Sequence, residues 1–203
     1  MKIRLPYKML CIALILVVSG IFSTFTPVAG SDMEGIGKQD IREKIVRYLK
    51  SKKVRTSEDN LRVIADTVYE EAQDYEIDYR LVLAVMKVES NFNQRAVSPK
   101  GAVGLLQIKP SLAKHVSRDA GVTIKGAGCL HEPKKNIKIG VNHLSWLIDK
   151  FENVKSALHA YNVGPARVRR VASEEEGADT CFTRKVLKEY RQIKTVLPDP
   201  EEC

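Results

Sequence analysis

No stretch of this sequence alternates apolar and polar residues over the length of a strand, and none repeats, so a sheet architecture and a solenoid are both excluded. Cysteine is scarce. The four residues Cys11, Cys129, Cys181 and Cys203 show no CxxC spacing, which leaves a metal or thiol-redox centre without a ligand pattern; no metal and no cofactor is expected. Aromatic residues make up 6% of the chain, with one tryptophan, and none stands among Arg167, Arg169 and Arg170. The densest late basic cluster, Arg167, Arg169 and Arg170, therefore lacks the stacking rings of a nucleic-acid groove, and nucleic acid is not an expected partner.

Long apolar runs are also missing, save one. Lys2, Arg4 and Lys8, with no acid among them, precede an apolar run from Met9 to Phe25 that ends near Pro27-Val28-Ala29-Gly30. Residues 1–30 read as an export signal to the periplasm or cell envelope. The small residues at 28–30 favour cleavage, whereas the length of the run leaves an uncleaved anchor as the other reading, the one route to membrane contact. Cys11 lies near the start of the run, where a lipid-modified cysteine would not stand. An exported chain meets oxidising conditions, and Cys129 with Cys181 is the expected disulfide. Without the leader, 30 basic side chains face 25 acidic ones, a net charge of +5 that suits approach to an anionic polymer but does not require it.

What remains is a series of amphipathic segments. Residues 31–37 read as a connection. Gln39 to Lys53 places Ile41, Ile45, Val46 and Leu49 on one face, a helix for packing rather than for resting on a bilayer. Thr56-Ser57-Glu58-Asp59 caps a helix to about Tyr75, with Leu61, Ile64, Ala65, Val68 and Ala72 inward. Asp78 caps the next, which runs through Ser90. A short helix over Ser111 to Val116 and a loop over Gly121 to Gly128 follow. Pro133 opens a helix to about Phe151, Asn153 caps one to Tyr161 that Gly164-Pro165 ends, Ser173 to Gly177 is an acidic turn, and Phe182 to Val196 is the last helix. The fold class is all-α: a helix and linker at 31–55, one domain over 56–197, and a tail at 198–203.

One stretch stands apart, Glu89 to Pro110, ESNFNQRAVSPKGAVGLLQIKP. On the helix leading into it, Val82, Val85, Met86 and Glu89 share a face, so the apolar stripe ends in a carboxylic acid. Burial raises the pKa of such a carboxyl, and a Glu still protonated near neutral pH can give its proton to a leaving oxygen. A small-residue turn over Gly101 to Gly104 and the amide of Gln107 follow.

The segments Glu89-Ser90-x-Phe92, Ala96-x-Ser98-x-x-Gly101-Ala102-x-Gly104-Leu105-Leu106-Gln107 and Pro110 resemble the first motifs of the soluble lytic transglycosylase family, related to goose-type lysozyme. Pro133-x-x-Asn136-Ile137-x-x-Gly140-x-x-x-Leu144 and Ala157-Leu158-x-Ala160-Tyr161-Asn162-x-Gly164-Pro165-x-x-Val168 continue the resemblance in order, over about half the chain. It implies a lysozyme-like domain that cleaves the MurNAc-GlcNAc β-1,4 bond of peptidoglycan glycan strands without water. The MurNAc 6-hydroxyl closes onto its own C1 to leave a 1,6-anhydro ring. Carried over by position, Glu89 is the acid and then the base, Ser98 and Gln107 bond near it and the sugar, and Tyr161 and Asn162 line the cleft. Gly101, Gly104 and Gly164 serve as backbone devices. The chain departs from the family at Leu106 and Lys109, where methionine is frequent, and at His143, where an aromatic is frequent. Within the motifs only Glu89 is a carboxylate, whereas a water-based muramidase needs a second. That muramidase, and a glycan-binding component of a cell-envelope secretion or conjugation apparatus, are the alternatives.

Overall fold

The computed structural model describes residues 31–168 and 179–200, with side chains from residue 40 onward. The leader with Cys11, the basic pair Arg169 and Arg170, the acidic turn and Cys203 lie outside the described residues. The described chain is helical: α1 Ser31–Ser51, α2 Glu58–Asp74, α3 Tyr79–Ser90, α4 Pro110–Val116, a 3₁₀ turn Ala127–His131, α5 Pro133–Phe151, α6 Val154–Val163, α7 Pro165–Val168 and α8 Cys181–Lys194. The only extended pairing among the described residues is a pair of isolated bridges, Val97 with Val103 and Val103 with Ile108.

Local chemistry sets the helix starts. Ser57 accepts from the Asn60 amide, Asp78 from Arg80, Asn153 from Lys155 and Ser156, and Thr180 from Thr183, each satisfying a donor that a helix start leaves open. Pro133 occupies the first turn of α5, where its missing amide costs nothing. Helix α1 begins earlier than its apolar pattern: residues 31–37 are helical rather than a connection. Gly35 and Gly37 disfavour helix by about 1 kcal/mol each, less than the burial of Ile41, Ile45, Val46 and Leu49 downstream supplies to the same helix.

Helix α3 is the centre of the fold. Eight consecutive residues, Tyr79 to Met86, are buried, so this helix is enclosed on every side and not on one stripe only. Helix α8 packs along it, α2 lies beside it, and α5 packs on α2 and α6. Its start is tied to the far end of the chain. Arg80, itself buried, bonds Asp78 at 2.7 Å and Asp199 at 2.8 Å, the Tyr190 hydroxyl donates to Asp78 at 2.6 Å, and the Tyr79 hydroxyl donates to the Pro198 carbonyl at 2.7 Å. Such a charge network is fully partnered, which is the condition for a buried guanidinium to be tolerated.

The expected Cys129–Cys181 disulfide is not formed; both thiols are free. Cys129 belongs to the 3₁₀ turn, which packs on α5, while Cys181 is the exposed first residue of α8, which packs on α3 and α6. The two cysteines thus stand on elements whose main packing partners differ.

Candidate active site

Glu89 stands in the last turn of α3, just before the helix ends. Asn91 and Phe92 both take left-handed backbone, with φ of 52° and 62°. For a ring as bulky as Phe92 this conformation costs about 1–3 kcal/mol and persists only where the surroundings enforce it. Here they do: Phe92 is buried, and Tyr48 of α1 meets its ring edge-on with centroids 6.2 Å apart. The Ser90 hydroxyl then donates to the Leu105 carbonyl at 2.8 Å, fastening the end of α3 to the turn that follows.

That turn, residues 96–108, is folded by its own backbone. The Val103 and Ile108 amides exchange bonds at 3.0 and 2.9 Å, the Gly104 amide donates to Ala96 at 2.9 Å, and the Ser98 amide donates to Ala102 at 2.9 Å. Asn136 of α5, buried, completes it. Its amide nitrogen donates to the Val103 and Leu130 carbonyls, both at 2.9 Å, and its oxygen accepts from the Leu106 amide at 2.8 Å. Two glycines allow α5 to come this close. A Cβ on Gly104 would lie 2.4 Å from Asn136 Nδ2 and 2.4 Å from the Leu130 carbonyl, and one on Gly140 would lie 2.4 Å from Leu106 Cδ1. Gly101, with φ of +72°, has nothing near its missing Cβ.

The contrast between Gly101 and Gly104 is measurable. Gly101→Ala is expected to cost only the left-handed strain, about 1–2 kcal/mol. Gly104→Ala, at φ of +80°, adds a clash with backbone and is expected to cost about 2–5 kcal/mol in all. Chemical denaturation of the two variants under one buffer checks this, and equal losses would remove the clash from the account.

Burial raises the Glu89 carboxyl from 4.5 to about 7, and no neighbouring charge contributes to the rise. Tyr161 of α6 stands beside it. Its hydroxyl donates to the Leu106 carbonyl at 2.8 Å, and its phenol is pushed well above the ordinary value, by burial first and then by the charge of Glu89. The ring of His143 packs on Tyr161 with centroids 5.7 Å apart, and burial lowers its imidazole to about 4, so it is neutral in ordinary buffers.

The residues singled out from the sequence divide. Glu89 and Tyr161 are brought together. Gln107, in left-handed backbone with φ of 48°, turns its amide nitrogen inward to the Gly104 carbonyl at 2.9 Å and the Ala96 carbonyl at 3.4 Å, so its donors hold the turn. Ser98 accepts from the Ala102 amide at 3.0 Å, the bond of an ordinary turn residue. Asn162 is exposed beside Tyr161, Gly164 ends α6 with φ of 92°, and Lys109 is exposed at the start of α4. Of the other acids near the motifs, Glu132 is exposed and bonded to Lys135 at 2.9 Å, and Asp119 and Asp149 are exposed. Sequence reasoning did not assign roles to Ser90 and Asn136, which fasten the turn. The signal was present for Asn136, a polar residue on the apolar stripe of α5.

The family model of the transglycosylase SLT domain matches residues 66–181, from within α2 to the start of α8. The chain belongs to that family. The match covers every motif described above. The chain is 38% identical over 105 residues to the soluble lytic murein transglycosylase of Salmonella typhimurium, covering 51% of this chain and 16% of that protein. It is 33% identical over 147 residues to the membrane-bound lytic murein transglycosylase C of Haemophilus influenzae, covering 64% of this chain and 40% of that protein. The chain thus spans well under half the length of these relatives. Among solved structures, an inactive mutant of the lytic transglycosylase Slt from Pseudomonas aeruginosa superposes with a TM-score of 0.59 at 28% identity, covering 64% of this chain and 24% of that one. The 70-kDa soluble lytic transglycosylase of Escherichia coli, at 21% identity and a TM-score of 0.60 over 81% of this chain, shares the fold. The all-helical, lysozyme-like architecture expected from the sequence is the one found.

Proposed function

We propose that this SLT domain is a peptidoglycan lytic transglycosylase of the cell envelope, with Glu89 as its general acid and base. The observation that carries the reading is the state of Glu89: a carboxyl raised to about 7 by burial alone, at the end of the central helix. A group of that pKa is half protonated near neutrality, so it can protonate the leaving glycosidic oxygen and then, as carboxylate, withdraw the proton from the MurNAc 6-hydroxyl. The hydroxyl oxygen bonds to C1 as the bond from C1 to the leaving oxygen breaks, and the proton Glu89 takes up replaces the one it gave. No water enters. Tyr161 holds its hydroxyl on the Leu106 carbonyl and walls one side of the acid, keeping it dry.

A water-based cleavage needs a second carboxylate across the bond. Glu132, Asp119 and Asp149 are exposed and add nothing to the electrostatics of Glu89, which favours the intramolecular route. Residues 1–30 as export signal or anchor, and 56–197 as the catalytic unit with α1 packed on it, belong to the same proposal. The test is the chemistry of the product. Mass spectrometry of muropeptides released from purified sacculi is expected to find 1,6-anhydro-MurNAc ends throughout. Mainly reducible MurNAc ends would transfer the reading to a muramidase, and no release at all to a glycan-binding role.

A further inference from the structure

Helix α5 carries a row of side chains that continues outward from the candidate site. Asn136 and Gly140 lie under the turn, His143 follows three residues on, Trp146 three further, and Lys150 four beyond that, spacings that keep neighbours on one side of a helix. The rings are in contact: Tyr161 with His143 at 5.7 Å, and His143 with Trp146 at 5.8 Å and 15° between planes, a stacked pair. Along this row exposure rises. His143 is 8% exposed and Trp146 is 46% exposed, a large apolar ring outside both hydrophobic clusters. Trp146 lies about 9 Å along the helix from Gly140, which sits against Leu106 of the turn.

An indole left in water at the end of a ring-lined path contributes little to the fold. Its π face is electron-rich, and the exposed Lys150 already responds to that field, with its ammonium 4.4 Å from the ring centroid. The C–H face of a pyranose carries the same sign of partial charge in a flatter and less hydrated form. A sugar ring can therefore take the place of the ammonium, which has a flexible four-carbon stem on which to move aside. The displaced cation stays within reach of a carboxylate, the charge that a peptide-bearing glycan carries.

We propose that Trp146, backed by His143, is an outer glycan-binding platform that seats an N-acetylated sugar ring of the strand beyond the residue being cleaved. The proposal rests on the peptidoglycan reading of the site, and it adds a subsite to it. Trp146 is the only tryptophan of the chain, so its emission reports on that ring alone.

The experiment uses the full chain carrying Glu89→Gln, so that ligands survive. Titration with β-1,4-linked N-acetylglucosamine oligomers is expected to shift the emission of Trp146 saturably. In the same background Trp146→Ala is expected to weaken binding to purified sacculi by about five- to tenfold, with Trp146→Phe restoring it to within about twofold, since an aromatic face and not the indole nitrogen is what the site supplies. Circular dichroism of the Ala variant controls for folding, and the titration needs no change at position 146. Emission that stays fixed at all oligomer concentrations, or an Ala variant that pellets with sacculi as tightly as its parent, overturns the platform. Neither outcome depends on Glu89 being the acid, because cleavage itself is read separately, by comparing the unaltered chain with its Glu89→Gln variant.

Discussion

Replacing Glu89 with glutamine is expected to lower cleavage of sacculi by about 10²- to 10⁴-fold while the chain still folds and still pellets with them. The amide keeps the shape of the carboxyl but has no acidic proton to give. Residual activity within a few-fold of the parent would remove Glu89 from the mechanism. The pH behaviour follows from the same residue. Cleavage by the unaltered chain should fall on the alkaline side of about pH 7, because the first step needs the protonated form and the folded value is raised to about 7. Stability has the matching sign: a carboxyl whose folded value lies above its unfolded one contributes fully below pH 4.5 and loses that contribution as pH rises through 7. A rise from 4.5 to about 7 corresponds to roughly 3 kcal/mol lost across that interval. Glutamine does not titrate, so the variant should lack this slope and be the more stable protein above pH 7. Parallel slopes for the two proteins in denaturation series from pH 4 to pH 8 would show that burial does not act on Glu89 as described.

Asn136→Leu is the second large effect. The side chains are similar in size, so the change tests bonding and not volume. Leucine leaves the Leu106 amide and the Leu130 carbonyl without the partner that Asn136 provides, and halves the bonding of Val103, whose carbonyl keeps the Ile108 amide. At about 1–3 kcal/mol for each buried group left unpaired, the expected loss is about 3–5 kcal/mol. In a domain of this size that lowers Tm by about 10 °C. Cleavage should fall further than stability explains, since Leu106 also holds Tyr161 beside the acid. A variant that melts with the parent would show the turn to be closed by its own backbone alone.

The helices were legible because their signals are local. Asp78, Pro133 and Asn153 each act within one turn of where they stand, and the three helices begin where those residues place them. The burial of the Glu89 carboxyl was legible for a similar reason, since it is the last member of an apolar stripe on α3. What could not be read were the features settled across the chain. The start of α1 runs through two glycines because of contacts further along, and α3 is buried all round because α2 and α8 arrive from either side of it in sequence. The bond that Ser98 accepts from the Ala102 amide depends on how residues 96–108 fold back on themselves, which no local pattern states. The two cysteines stand as free thiols, and counting thiols and compartments says nothing of where the chain places them.

The tie between the start of α3 and the residues at Pro198 and Asp199 bears on the order in which the protein assembles. The two ends of that tie are 119 residues apart, a separation at which loop closure is slow and must precede any return from the contact. Helices α1 and α2, neighbours in sequence and in space, can associate while synthesis is still under way. The first turn of α3 cannot gain its final partners until almost the whole described chain has emerged. The last stretch of the described chain to be made is thus the one that closes the first turn of the helix ending at Glu89.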